Sequence, residues 1–154
     1  MSTGPVSLRP ITDANRREVE ALRVSPAQQE FVSDVVESLR EAAEHPGAHA
    51  IAWAIYAGEA PVGFAMIADE VDSSDYLPQF LWKLLIDERH QRRGYGTATL
   101  DLIVEYFRGR PGVEAVTTSA VPGEGSPVTF YERYGFVRTG EIHDGEIVLR
   151  LTIR

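Results

Sequence analysis

The chain has 154 residues, 44% of them hydrophobic and 25% charged, with a formal net charge of −8. That suits one domain, residues 1–154, with a substantial core; such an acidic surface repels phosphate backbones, so nucleic acid is not an expected partner. There are no cysteines, which excludes disulfides, thiolate metal sites and a cysteinyl covalent intermediate.

No apolar run approaches the roughly 18 residues that a membrane span needs, so no membrane association is expected. The opening "MSTGPVSLRP" lacks the basic start and apolar stretch of a secretory signal, and a cytoplasmic location follows as the default. His45 and His49 are the one histidine pair at metal-ligand spacing, but they bracket Pro46-Gly47, which reads as a loop, and no metal is expected.

Residues 6–9 alternate as a strand does. Thr12 and Asp13 can cap a short helix carrying Val19 and Leu22. Ser25, Pro26 and Gln28 form a capping box ahead of a stripe of Phe31, Val35, Leu39 and Ala42, predicting one helix that Pro46-Gly47 ends. Residues 50–56 and 62–68 read as a hairpin punctuated by Gly58. An acidic loop, "DEVDSSD" (69–75), precedes a buried strand over residues 80–87. A helix then presents Leu100, Ile103, Val104 and Phe107 on one face, and residues 113–121 form a strand. Ser126 and Pro127 open a short helix that Gly135 closes, and a last hairpin turns at Asp144-Gly145. The order β-α-α-β-β-β-α-β-α-β-β describes an α+β protein with a mostly antiparallel sheet.

One junction carries chemistry. "HQRRGYGTAT" (90–99) links the strand at 80–87 to a helix. A glycine turn opening a helix leaves backbone N–H groups unpaired, and with the helix dipole these make an anion site. Gly94 and Gly96 permit close backbone approach, and Arg92 and Arg93 add positive charge. The sequence is not a P-loop, because no Lys-Ser/Thr pair follows. Nor is it a dinucleotide fingerprint, because Thr99 stands where the third glycine belongs.

"QRRGYGTA", with Gln91, Gly94 and Gly96, resembles the acyl-CoA pyrophosphate motif of the GNAT superfamily of N-acetyltransferases. "FYERYGF" (130–136) resembles that family's Leu-Tyr-x-x-x-Gly-Phe motif, and the two occur in the family's order. The resemblance implies a splayed, mostly antiparallel mixed sheet flanked by helices, with acetyl-CoA as cosubstrate. It implies that the pantetheine arm pairs with backbone groups of Leu84, Leu85 and Ile86, and that the pyrophosphate sits on the N–H groups of Arg92, Arg93, Gly94, Tyr95, Gly96 and Thr97. Many members carry Asn seven residues before the motif tyrosine. This chain has Glu124 there, and Ser126 is the nearby side chain left to take that contact.

The same resemblance makes Tyr131 the expected general acid for the departing thiolate, since a phenol with reference pKa near ~10 keeps its proton at neutral pH. Tyr134 is read as packing. With no cysteine, direct attack by the amine in a ternary complex is expected, and a backbone N–H near Leu85 is the expected oxyanion donor. "VSPAQQEFVSDVVESLREA" and "LLIDERHQRRGYG" are similar to bacterial spermine/spermidine acetyltransferases, which implies a small-molecule polyamine acceptor. Glu70, Asp72 and Asp75 are then the expected acceptor-binding carboxylates and candidate bases. Tyr76 is an expected aromatic face for a cation, while Trp53 and Trp82 are expected in the core. The alternatives are another amine (an aminoglycoside, an amino acid, a protein N-terminus) or a non-catalytic acyl-CoA sensor. A homodimer through the edge of the last hairpin is a further expectation.

Overall fold

The computed structural model describes residues 5–29, 31–69, 77 and 79–154. Seven strands form one sheet: β1 (Ser7–Pro10), β2 (Ala50–Ala57), β3 (Ala60–Ala68), β4 (Phe80–Ile86), β5 (Ala115–Ala120), β6 (Val137–His143) and β7 (Glu146–Thr152). Their spatial order is β1-β2-β3-β4-β5-β7-β6. Four helices flank the sheet: α1 (Arg16–Glu20), α2 (Val35–Glu44), α3 (Tyr95–Arg108) and α4 (Val128–Tyr134). Every strand pair is antiparallel except β4–β5. The element order is the expected one, and so is the α+β class.

Each face of the sheet has its own core. Leu100, Ile103, Val104 and Phe107 of α3 pack with Ile55, Ala65, Ile67, Val116 and Leu149. On the opposite face, Val19, Leu22 and Val35 pack with Phe64, Met66 and Leu85. Strand alternation sends neighbours in β3 to opposite cores, which is why this strand reads as a nearly unbroken apolar run. A fully buried Phe, Met or Ile there contributes about 1.5–3 kcal/mol.

Residues 25–44 do not form the single helix expected. Ser25 heads only a 3₁₀ turn, Pro26–Gln28, and makes no cap bond. The helix α2 starts afresh at Val35, where the Asp34 carboxylate accepts from the Glu37 N–H at 2.8 Å. Asp34 with Glu37 is itself a start signal, and it overrides the upstream stripe. The break lets Phe31 lie against the glycines of the β5–α4 loop; a Cβ on Gly123 would sit 3.4 Å from its ring, and one on Gly125 3.5 Å.

Two irregularities in β4 position the site. Its ladder with β5 holds only at Phe80↔Thr117 and Leu81↔Thr118, so the rest of β4 parts from its neighbour. Opposite β3, Met66 faces Lys83 while Ile67 faces Leu81, leaving Trp82 as the extra residue of a bulge. The bulge turns consecutive residues toward α2: Trp82 packs on that core, and Lys83 pairs with Glu41 of α2 at 2.9 Å.

Candidate active site

The site begins where β4 ends. Asp87 is buried and accepts hydrogen bonds from the Arg23 N–H (2.9 Å), the Arg89 N–H (3.1 Å) and the Arg89 Nε (2.8 Å). Burial pushes its carboxyl upward, but the Arg89 side chain and the two amides more than offset this and hold its pKa below the usual value. Gln91 donates both amide hydrogens, to Gln28 Oε1 and to the Ile86 carbonyl, each at 2.8 Å. These bonds fix the loop that leads into α3.

Arg92 and Gly94 both have left-handed backbone, φ 64° and 80°. Gly94 is the N-cap of α3, and no side chain caps the helix. The first-turn N–H groups of Tyr95, Gly96 and Thr97 therefore have no intrahelical partner, and Arg92 and Arg93 stand exposed beside them. The two glycines do different jobs. A Cβ on Gly94 would meet nothing within 4 Å, so that glycine supplies backbone conformation next to open space. A Cβ on Gly96 would come within 3.0 Å of Phe130 Cζ; the room at Gly96 is used by α4.

The ladder decides which β4 groups face the gap. The Asp87 N–H donates to the Val62 carbonyl at 2.9 Å. In the same register Leu85 lies opposite Phe64, so its backbone groups turn toward β3, and those of Leu84 and Ile86 turn away from it. Of the three residues expected to pair with a ligand's arm, Leu84 and Ile86 turn their backbone groups to the gap and Leu85 turns its own to β3. An oxyanion donor at Leu85 itself meets the same objection. Two expected side-chain contacts also have other partners. The N–H donors of Gln91 hold the loop, and Ser126 Oγ donates to the Val121 carbonyl (2.6 Å) while accepting from the Val128 N–H (3.3 Å).

On the α2 face, beside the gap, lies a cavity of about 500 Å³. Its walls come from residues 29 and 31–33, α2 and the turn after it, the end of β3, β4, β5, α4 and the β6–β7 hairpin. Tyr131 packs in the α3-side core, yet it also lines this cavity. Burial pushes its phenol up to about 12; a hydrogen bond with Thr118 pulls the other way, and the charge of Glu146 adds to the rise. Tyr134, by contrast, donates to Asp101 at 2.7 Å and is not in the cavity wall.

Among the described residues three carboxylates line the cavity: Glu41, Asp144 and Glu146. Glu41 is neutralised by Lys83, which also donates to Ser33 Oγ at 3.1 Å. Glu146 accepts from Ser119 Oγ at 2.9 Å. Trp82 packs on the α2-side core as expected and also lines the cavity, with its ring 6.2 Å from that of His45. Trp53 packs on the α3-side core, edge-on to Tyr106 at 5.5 Å. Glu70, Asp72, Asp75 and Tyr76 lie outside the described residues. Asp69, which opens that acidic stretch, is buried and held by the Tyr106 hydroxyl (3.0 Å) and by Arg110. Among the described residues no group of three or more His, Asp or Glu could hold a metal ion. Sequence reading missed Glu41, Lys83, Ser119 and Glu146. The signal for Lys83 was there: a lysine inside the apolar run "FLWKLLI" must find a partner.

A parted strand, an uncapped glycine-led helix beside it and a polar cavity behind it agree with the family match: residues 16–136 fit the acetyltransferase (GNAT) family, and the chain belongs to that family. It is 26% identical over 148 residues to a spermine/spermidine N(1)-acetyltransferase of Bacillus subtilis, covering 94% of this chain and 96% of the relative. The fold is shared with a spermidine N-acetyltransferase from Vibrio cholerae solved with CoA and spermine, at TM-score 0.65 and 16% identity over 95% of this chain and 93% of that one. It is shared also with an aminoglycoside acetyltransferase, AAC(6')-Ib, solved with coenzyme A, at TM-score 0.73 and 17% identity over 96% and 94% of the two chains. No helix among the described residues is long and apolar enough to cross a membrane.

Proposed function

We propose that this protein transfers the acetyl group of acetyl-CoA to a primary amine by direct attack in a ternary complex, and that the amine is a polyamine such as spermine or spermidine. The observation that carries the transfer is the parting of β4 from β5 next to the α3 N-terminus, with Tyr131 reaching the cavity from the far side of the sheet. The residues fit the cosubstrate. Residues 92–97 offer amides and two guanidinium groups to a pyrophosphate, and Leu84 offers its backbone groups and Ile86 its N–H to an amide-bearing arm, the Ile86 carbonyl being taken by Gln91. Tyr131, with its raised pKa, keeps its proton at neutral pH and gives it to the sulfur as it leaves.

The polyamine reading is supported by the relative in Bacillus subtilis and by Asp144 and Glu146 of the cavity wall, which no lysine or arginine among the described residues neutralises. One observation favours a different amine. Lys83 stands in the same wall and opposes a second ammonium arriving near α2.

Thiol release from acetyl-CoA tests both levels, using spermine, spermidine, putrescine, an aminoglycoside, free amino acids and a lysine peptide. Release with spermine or spermidine, and converging lines in initial-velocity plots, are expected. Release with a different amine alone refutes the polyamine acceptor. Parallel lines refute direct attack, and CoA binding without release to any amine refutes the transfer.

A further inference from the structure

Resting on the acetyl transfer proposed above, we infer that Glu146 is the proton acceptor for the attacking nitrogen, held toward the cavity by Ser119. Neither residue belongs to the two sequence motifs. The placement follows from strand alternation. Val116 and Ala120 of β5, and Ile147, Leu149 and Leu151 of β7, turn to the α3-side core, so Ser119 and Glu146 turn to the opposite face, where the cavity lies. Ser119 pairs with Val148 and Ala120 with Ile147, which sets Ser119 Oγ 2.9 Å from Glu146 Oε1.

The other two carboxylates of the wall are less suited. Glu41 is held by Lys83 at 2.9 Å. Asp144 sits at the hairpin turn with 90% of its side chain exposed and His143 at 3.6 Å. Glu146 is half-buried, and among the described residues it has no ion-pair partner. It is also close enough to Tyr131 for its charge to raise that phenol. Among the described residues the other charged and titratable groups around the cavity are Tyr131 from α4, Lys83 from β4, Glu41 from α2, His45 just after it, and His143 and Asp144 from the hairpin.

The step balances without any further reactant. The ammonium first loses one proton to solvent, which frees its lone pair. The N–C bond forms and the C–S bond breaks. The surplus proton on nitrogen passes to the Glu146 carboxylate, while Tyr131 gives its proton to the sulfur. Solvent then carries a proton from Glu146 back to Tyr131. The products are an amide and a thiol.

The test takes the full chain and the amine that the wild type acetylates fastest. Glu146→Gln should lower kcat about 100-fold, within the range for a lost proton acceptor, with affinity for CoA and the unfolding midpoint unchanged. In Glu146→Ala, added formate should restore several-fold activity by supplying a carboxylate to the vacated space. Ser119→Ala should cost less than either. Unchanged kcat in Glu146→Gln overturns the inference. So does a loss in Glu146→Ala that formate does not relieve, because the carboxylate then serves binding rather than the proton. If the wild type acetylates no amine, the proposed function falls, and the role of Glu146 falls with it; if the wild type is active, the variants judge Glu146 alone.

Discussion

The two faces of the β4 strand are built in opposite ways. On the α3 side, the features that suit a cosubstrate occur in one stretch of chain, residues 84–97: the gap-facing strand, the Asp87 and Gln91 anchors, the left-handed turn and the uncapped helix. On the α2 side, the cavity draws on segments spread from residue 29 to residue 146, and its charges meet only through tertiary contacts such as Lys83 with Glu41 and Ser119 with Glu146. A site written in contiguous residues can stay the same while a site assembled from distant ones changes its ligand. The fold therefore keeps the glycine junction in one stretch of chain and assembles the cavity from many.

Tyr131 belongs to both faces, and its loss should have the largest effect. Tyr131→Phe is expected to lower kcat by about 10²-fold or more with little change in CoA affinity, because it removes a donor and leaves the packed ring. Tyr134→Phe, which loses only its bond to Asp101, should keep its rate. Equal turnover in both variants would remove Tyr131 from the chemistry. Gly63 tests the strand that the two faces share. A Cβ there would come within 2.4 Å of the Leu85 carbonyl oxygen, a backbone atom that cannot rotate away. Gly63→Ala should destabilise by about 2–3 kcal/mol in denaturant unfolding, as overpacking does, and should weaken both CoA and amine binding.

The same division explains what could be read in the sequence. The element order, the α3 stripe and the glycine junction are local patterns, and each was legible. Gly96 was legible as a necessary glycine but not for its reason, since its neighbour Phe130 comes from α4. Leu85 could be assigned to the strand, but the side its backbone groups face depends on register with β3. The helix break at Asp34 was misread because a capping box at Ser25 and an apolar stripe outweighed a second start signal. Glu146 and Ser119 are ordinary residues of a hairpin and a strand until β5 and β7 pair and bring them together.

Asp87 probes the contiguous half. Its pKa is depressed in the folded protein, so its stabilisation is present above the unfolded value of about 3.9 and is lost as pH falls through the folded one. Asp87→Asn should therefore cost about 2 kcal/mol at pH 7, within the range for hydrogen bonds to a charged group, and progressively less below pH ~4. The Arg23 and Arg89 contacts that brace the loop would loosen, so CoA affinity should fall while the KM for amine holds. A cost that persists unchanged at pH 3 would show that the charge is not what stabilises this corner.

Asp34 probes the assembled half, and its effect should be the smallest. Its side chain caps α2 through the Glu37 N–H and makes no contact with the glycine junction. Asp34→Ala should cost about 1 kcal/mol, the usual value for a lost N-cap, and the fraying should be felt first at the α2 start. The Ser38 hydroxyl bonds back to the Asp34 carbonyl at 2.8 Å, and Ser33, one residue before the cap, accepts from Lys83. Freed from Ser33, the Lys83 ammonium would swing within the cavity wall. The KM for amine should then rise several-fold while CoA affinity stays put, the reverse of the Asp87→Asn pattern. If both constants moved together in both variants, the two faces would not be independent, and α2 would have to be counted as part of the cosubstrate site as well.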